Sequence, residues 1–253
     1  MDLCEVTENT TRHPWERARL KALRNIIRRA ITLNRDLRIL DVGCGDGFVI
    51  SNLFDGISVK NINGVDLNLS IRQIEELSSR ATNISYHNTF DNIRDQSFGL
   101  ILLLDVVEHV EDDNSFLCNI VENYLDDDGY LMLTAPAYQF LFSSHDTFLG
   151  HYRRYTLTDL IGLSDSVGLK MIDSGYLFFS LIPLRFAFLC YERFFAAEGI
   201  ENRGIGAWKY GTIITKTIEL ILTTENNISI ALSRFGIRIP GLTVWALCRK
   251  PQL

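Results

Sequence analysis

The five cysteines of this 253-residue chain, Cys4, Cys44, Cys118, Cys190 and Cys248, are scattered, and no two form a Cys-x-x-Cys pair. That spacing offers neither a metal knuckle nor a disulfide framework and fits an intracellular, reducing compartment. Basic charge is also scarce. Lys and Arg number 25 against 31 Asp and Glu, a net charge of −6, which argues against general nucleic-acid binding. The opening segment, MDLCEVTENTTRH, lacks the charged-then-apolar order of a signal peptide, so a cytoplasmic location is expected. The long apolar stretch at 176–195, YLFFSLIPLRFAFLCYERFF, is interrupted by Pro183, Arg185, Glu192 and Arg193 and makes a poor spanning helix.

What is present begins with a 47% hydrophobic composition, enough for one large domain over residues 1–253. Residues 12–34 read as a covering helix with Pro14 in its first turn. Leu20, Leu23, Ile27 and Ala30/Ile31 form its apolar stripe, and Arg17, Lys21, Arg24 and Arg28 line another face. The segment is locally basic, with nine Lys/Arg between Arg12 and Arg38 against Glu16 and Asp36. Short apolar runs then alternate with helical patterns: LRILDV, the run around INGVD, NISYH, FGLILLLD, GYLMLTAP, a strand after the helix capped at Thr156 or Thr158, and GLTVWALCRK. That order predicts an α/β fold, a seven-stranded, mostly parallel, doubly wound sheet with helices on both faces. An apolar helical insertion is expected over 178–238, with helices at 178–197 and 208–235 separated by EGIENRGIG.

The strongest chemical signal is LDVGCGDG (40–47), in which Gly43, Gly45 and Gly47 follow a strand and precede a helix. Such glycines let the backbone turn tightly and let a ligand approach the main chain. Phe48 stands where a dinucleotide fingerprint would place its last glycine, which disfavours a nicotinamide oxidoreductase. Asp66, in GVDLN, ends the second strand, where a carboxylate accepts hydrogen bonds from a ribose diol. A tight turn and a capping aspartate are the plain alternative for the same residues.

ILDVGCGDG, GVDLN and FGLILLLDVVEHV resemble the successive motifs of class I S-adenosylmethionine-dependent methyltransferases. HPWERARLKALRNII is similar to the H-x-W-x-x-x-R lead-in of one bacterial and archaeal branch. PAYQFLFSSHDTFLGHYRRYT and IPGLTVWALCRK match the same branch, so the resemblance covers nearly the whole chain. It implies a cofactor, S-adenosylmethionine, with S-adenosylhomocysteine as product. Asp41 and the turn of Gly43, Cys44, Gly45 and Gly47 would hold the methionine portion, Asp66 the ribose, Leu67 the adenine, and Asp105 would lie near the methionine. Two departures stand out. Thr89 occupies the position of the usual adenine-binding Asp, for which Asp91 is the substitute, and Gly99 replaces the usual Asp after Phe98.

The stretch HDTFLGHYRRYT (145–156) gathers histidines, arginines and tyrosines after the fifth strand. For a hydroxyl acceptor, His151 or His145 is the expected base, since imidazole titrates near neutrality. Arg153 and Arg154 are expected to hold an anionic group, and Tyr152 and Tyr155 to wall the pocket. The alternative is a loop that only closes the sheet edge, its arginines paired to Asp146 or Asp159. His109 is a third catalytic candidate, beside a helix-start reading. Glu108, like His109, is placed to touch the cofactor or acceptor, and Glu108, Glu111, Asp112 and Asp113 together offer carboxylates for a divalent metal; the preferred reading is that they offset a helix dipole, with no metal site expected.

The function expected is methyl transfer to a small-molecule, sugar or lipid-linked acceptor, with a non-catalytic nucleoside-binding scaffold as the alternative. The apolar 176–195 segment reads as a hydrophobic cover or dimer contact, with peripheral contact at the inner membrane face as the alternative. The identity of the acceptor, the methylated atom and the oligomeric state stay open at this point.

Overall fold

A computed structural model describes residues 12–57, 59, 61–81, 83–195, 208 and 210–252. The opening residues and the EGIENRGIG spacer lie outside the described residues. The strands are β1 (Arg38–Val42), β2 (Asn61–Val65), β3 (Ile84–His87), β4 (Phe98–Leu104), β5 (Leu125–Pro136), β6 (Lys170–Leu177) and β7 (Thr243–Arg249). They form one sheet in the order β3-β2-β1-β4-β5-β7-β6, with β7 antiparallel to both neighbours. The seven-stranded, mostly parallel sheet expected from the alternating pattern is what forms.

Continuous apolar runs become central strands because both faces are covered. In β4, Leu100, Leu102 and Leu104 face one core and Ile101 and Leu103 the other. The first core is closed by α1 (Pro14–Ala30), α2 (Phe48–Leu53), α3 (Ile71–Arg80) and α8 (Thr212–Ser233). The second is closed by α4 (Asp113–Tyr124) and α6 (Leu157–Ser166).

The local sequence sets the helix starts. His13 caps α1 through a reciprocal bond pair with Glu16, and Pro14 enters the first turn, where its missing N–H costs nothing. Thr156, the first of the two candidate caps, closes a capping box with Asp159 at the start of α6. Between β6 and β7 lie α7 (Leu181–Phe195) and α8. The latter packs along α1, where Lys21 and Arg17 pair with Glu219.

One departure from the expected α1 stripe bears on the site. Leu20 is only half-buried, whereas Arg19 and Glu16 are buried together with Ala18, Ala22, Leu23, Ile26 and Ile27. A charged side chain is buried on α1 because it reaches the ends of the strands.

Candidate active site

The sheet reverses direction of growth between β1 and β4, and ligands in open α/β sheets bind at the carboxyl ends of strands beside such a switch. A cavity of about 530 Å³ opens there, within the usual size range of ligand sites. Its wall is drawn from α1, the ends of β1, β2, β4, β5 and β6, and the loop after β5.

The β1–α2 turn shapes one side. Gly43 and Gly47 hold φ of +73° and +71°, a region open to glycine and costly for most other residues. A Cβ at Gly43 would come within 2.7 Å of Val106, and one at Gly47 within 2.7 Å of the Tyr86 hydroxyl, so each position demands glycine twice over. Gly43 and Cys44 line the cavity, whereas Gly45 acts through its backbone, donating N–H to Asp66 Oδ2 at 3.0 Å. Asn68 N–H donates to the other oxygen, Oδ1, at 2.9 Å. Two backbone donors thus fix the Asp66 carboxylate while leaving lone pairs for further hydrogen bonds. Next to it Leu67, 71% exposed, forms an apolar part of the cavity wall. Phe90 is the corresponding apolar wall after β3. Asp91 is absent from that wall. Its carboxylate accepts from Thr89 Oγ1 at 3.1 Å in a local turn, so the expected substitute for the adenine contact is held away from the cavity.

Arg19 crosses from α1 to the strand ends. It forms an ion pair with Asp105 at 2.8 Å and donates to Thr134 Oγ1 at 2.7 Å, and Thr134 donates to Asp105 Oδ1 at 2.9 Å. Asp105 itself sits at φ 59°, a left-handed conformation at the tip of β4 that turns its carboxylate toward the cavity rim. Asp41, buried at the tip of β1, has its carboxyl pushed up to about 7 by desolvation, with Arg19 opposing the shift and Asp66 adding to it.

The loop that follows β5 is organised around one carboxylate. Asp146, fully buried in α5 (Ser144–Phe148), accepts from Arg154 at 2.8 and 3.0 Å, Arg185 at 2.8 Å, Ser143 N–H at 3.0 Å and His151 Nδ1 at 2.9 Å. Burial alone would push its carboxyl up. The bonds from His151, Arg154 and the Ser143 amide outweigh burial and hold the carboxyl well below its ordinary range. His151 is thereby held through Nδ1, and its side chain lines the cavity.

This arrangement revises the expected acceptor contacts. Arg154 lines the cavity, but its guanidinium is spent on Asp146 and the Ala137 carbonyl. Arg153 pairs with Asp113 at 2.9 Å and reaches the Glu111 carbonyl, outside the cavity. The Tyr155 hydroxyl is buried 2.6 Å from Asp113 Oδ2, and Tyr152 turns half its surface to solvent. None of Tyr152, Arg153 and Tyr155 lines the cavity, and the side chains of Arg153 and Tyr155 are bonded to Asp113. Of the expected arginine pairings, the one with Asp146 forms, whereas Asp159 is used in the α6 cap.

All three candidate histidines, His109, His145 and His151, line the cavity. His109 and His151 meet edge to face with ring centroids 4.6 Å apart. Sequence reasoning gave no cavity role to three charged wall residues: Arg19, Asp146 and Arg185. Arg19 lay within the H-x-W-x-x-x-R lead-in, so its signal was present. The other two lie 39 residues apart and meet only in the fold. Buried side-chain atoms without a protein partner cluster on this wall: Arg19 Nε, Arg185 Nε and both Glu108 carboxylate oxygens. Orphaned buried polar groups are rare in native proteins, and their gathering around one cavity marks it as a place for a polar ligand.

The wall suits S-adenosylmethionine group by group: carboxylates at Asp41 and Asp105 for its cationic end, a cation at Arg19 for its carboxylate, Asp66 for a diol and Leu67 with Phe90 for a flat base. Comparison with known proteins agrees. Residues 15–174 match the family model of a methyltransferase domain. A ubiquinone biosynthesis O-methyltransferase of Rickettsia bellii is 31% identical over 90 residues, which span 34% of this chain and only 37% of that relative. Among solved structures, phosphoethanolamine N-methyltransferase 2 of Haemonchus contortus, in complex with S-adenosyl-L-methionine, superposes with a TM-score of 0.55 at 15% identity. That alignment covers 92% of this chain and 52% of the other. The [4+2]-cyclase SpnF superposes with a TM-score of 0.56 at 16% identity, covering 92% and 81%. At such identities the fold is what is shared, and folds of this kind host more than one chemistry. With the family model spanning well over half of the sequence, the chain belongs to the methyltransferase domain family, built on the class I S-adenosylmethionine-dependent fold.

Proposed function

We propose that the protein transfers a methyl group from S-adenosylmethionine to a hydroxyl of a small, lipid-linked acceptor. The observation that carries this reading is the pairing, across one cavity, of the Gly43–Asp66 cradle with His151 held by Asp146. Bound S-adenosylmethionine supplies an electrophilic methyl on a sulfonium. Asp41 and Asp105 bind the cationic end, Arg19 meets the carboxylate and Asp66 binds the ribose. His151 presents Nε2 to the acceptor. As the acceptor oxygen bonds to the methyl carbon and the carbon–sulfur bond breaks, the hydroxyl proton passes to Nε2, and Asp146 holds the ring in place. Calorimetry with S-adenosylhomocysteine tests the cofactor half: tight one-to-one binding is expected, and absence of binding by the intact protein rules the enzyme out. Binding without turnover across a panel of hydroxylated lipids would favour the scaffold reading.

The lipid-linked acceptor rests on α7. Leu181 and Arg185 of this helix line the cavity, while Leu184, Phe186, Phe188, Tyr191 and Phe194 are exposed. Helix α8 presents Ile213, Leu220, Ile221 and Ile228 outward, and both of its glutamates turn inward. The exposed charges on these two helices, Arg193 and Lys216, are positive, the sign that suits an anionic lipid surface. No helix among the described residues is long and apolar enough to cross a membrane. Co-sedimentation with anionic vesicles is expected and should be lost in Phe186→Glu. Equal recovery of that variant would remove the membrane from the proposal.

A further inference from the structure

The carboxylates after β4 divide sharply. Asp112 caps α4 by accepting from Ser115 N–H, Asp113 holds Arg153 and Tyr155, and Glu111 is exposed. These fit the expected helix-start role. Glu108 does not. It is 0% exposed, it faces the cavity, and neither oxygen has a hydrogen-bond partner. Leaving a buried carboxylate unpaired costs several kcal/mol, by order of magnitude, so the position asks for a compensating group.

Two imidazoles stand beside it. One ligand atom from each of Glu108, His109 and His151 lies within 4.8 Å of the others. Ligand atoms about 2.1 Å from one tetrahedral ion lie about 3.4 Å apart, so the set would draw in by up to about 1.4 Å to hold one. His151 already has the outer support that metal-bound histidines show, with Nδ1 tied to a carboxylate and the side chain only 9% exposed. Two nitrogens and one carboxylate, converging from a single wall, leave the opposite coordination positions open.

We propose that Glu108, His109 and His151 bind one divalent transition-metal cation whose open positions face the cavity. Two imidazoles with a carboxylate suit Zn²⁺, Co²⁺, Fe²⁺ or Mn²⁺ better than Mg²⁺ or Ca²⁺, which favour all-oxygen shells. Binding stands on these three residues alone. Its use rests on the reading of the cavity as a methyl-transfer site. There the cation would hold the acceptor hydroxyl and lower its pKa, so the proton leaves to solvent before the oxygen attacks. His151 Nε2 would then serve as a ligand in the metal-loaded chain and as the proton acceptor of the proposed function only in the metal-free one.

The test uses the full chain, freed of metal with a chelator and titrated with Co²⁺ while its visible d–d absorption is followed. One equivalent is expected to bind and to be displaced by Zn²⁺. Glu108→Gln and His151→Ala should each weaken binding by about a hundredfold or more, while His87→Ala, at the far end of the sheet, should not. Glu108→Gln keeps the shape of the side chain, and thermal melting confirms that each variant is folded. Absence of d–d bands in the native chain, or unchanged affinity in both site variants, overturns the proposal. Calorimetry with S-adenosylhomocysteine on the same samples separates the two ideas. Co²⁺ binding without nucleoside binding would retain the cation site and discard the methyl-transfer role.

Discussion

The two halves of the cavity are built in different ways. The half formed by β1, β2 and β4 relies on backbone: glycines at positive φ, N–H groups that fix Asp66, and strand tips that place Asp41 and Asp105. The half beyond β5 relies on side chains that converge on one buried aspartate from Ser143, His151, Arg154 and Arg185. A backbone cradle tolerates change in its surroundings, because its geometry is set within a few residues. A convergent ion cluster fails as a unit, because each member is buried by the others.

The largest effect expected from breaking this contrast is on turnover. His151→Ala should lower the methyl-transfer rate by roughly 10²- to 10⁴-fold while leaving S-adenosylhomocysteine affinity within about twofold. Loss of cofactor binding in that variant would show that the two halves are not separable. Asp146→Ala should come next, destabilising the fold by about 3–5 kcal/mol, because it strands two buried guanidinium groups. For a chain of this size that corresponds to a melting temperature lower by about 6–20 °C, checked by thermal denaturation. A fall of under about 2 °C would mean that the arginines find other partners. Asp66→Ala should act on the opposite half, weakening cofactor binding by about a hundredfold through two lost charge-assisted hydrogen bonds, with little change in melting temperature. An unchanged dissociation constant would misplace the ribose.

The smallest effect concerns pH. Burial pushes the Asp41 carboxyl up to about 7 in the fold, from an ordinary value of 3.8. Its folded pKa is raised, so between those values the unfolded chain binds fewer protons than the fold, and stability falls as pH rises from about 4 to about 7. A cationic ligand favours the ionised form, so cofactor affinity should rise severalfold as pH passes through 7, an effect that Asp41→Asn should abolish. A flat profile in the native chain would remove Asp41 from the cofactor contacts.

The same contrast explains what could be read from sequence. The sheet, the Gly43–Gly47 turn and the position of Asp66 were legible because each is fixed by local rules: alternation of elements, a steric demand for glycine, and the reach of a strand tip. The GHYRRYT loop was legible as a polar gathering but not in its roles. Which of Arg153 and Arg154 is buried depends on the distant Asp113 and Asp146, and Arg185 joins from the apolar stretch that it interrupts. Glu108 was misjudged for the same reason. In sequence it is one of several acids at a helix start, and only the packing of β4 and β5 separates it from its neighbours. Asp91 differs in the opposite sense: it is near in sequence to the expected adenine contact, but it does not line the cavity and accepts a local bond from Thr89.

The Arg19 bridge from α1 to Asp105 and Thr134 has a thermodynamic consequence. A helix that contributes to a ligand site is docked more firmly when the site is filled, by the same free energy that its docking adds to binding. The outer face of α1 is tied through Lys21 and Arg17 to α8, so the gain passes along a connected pair of helices. Occupancy at the strand tips would therefore be recorded as slower hydrogen exchange in α8, a helix that does not line the cavity.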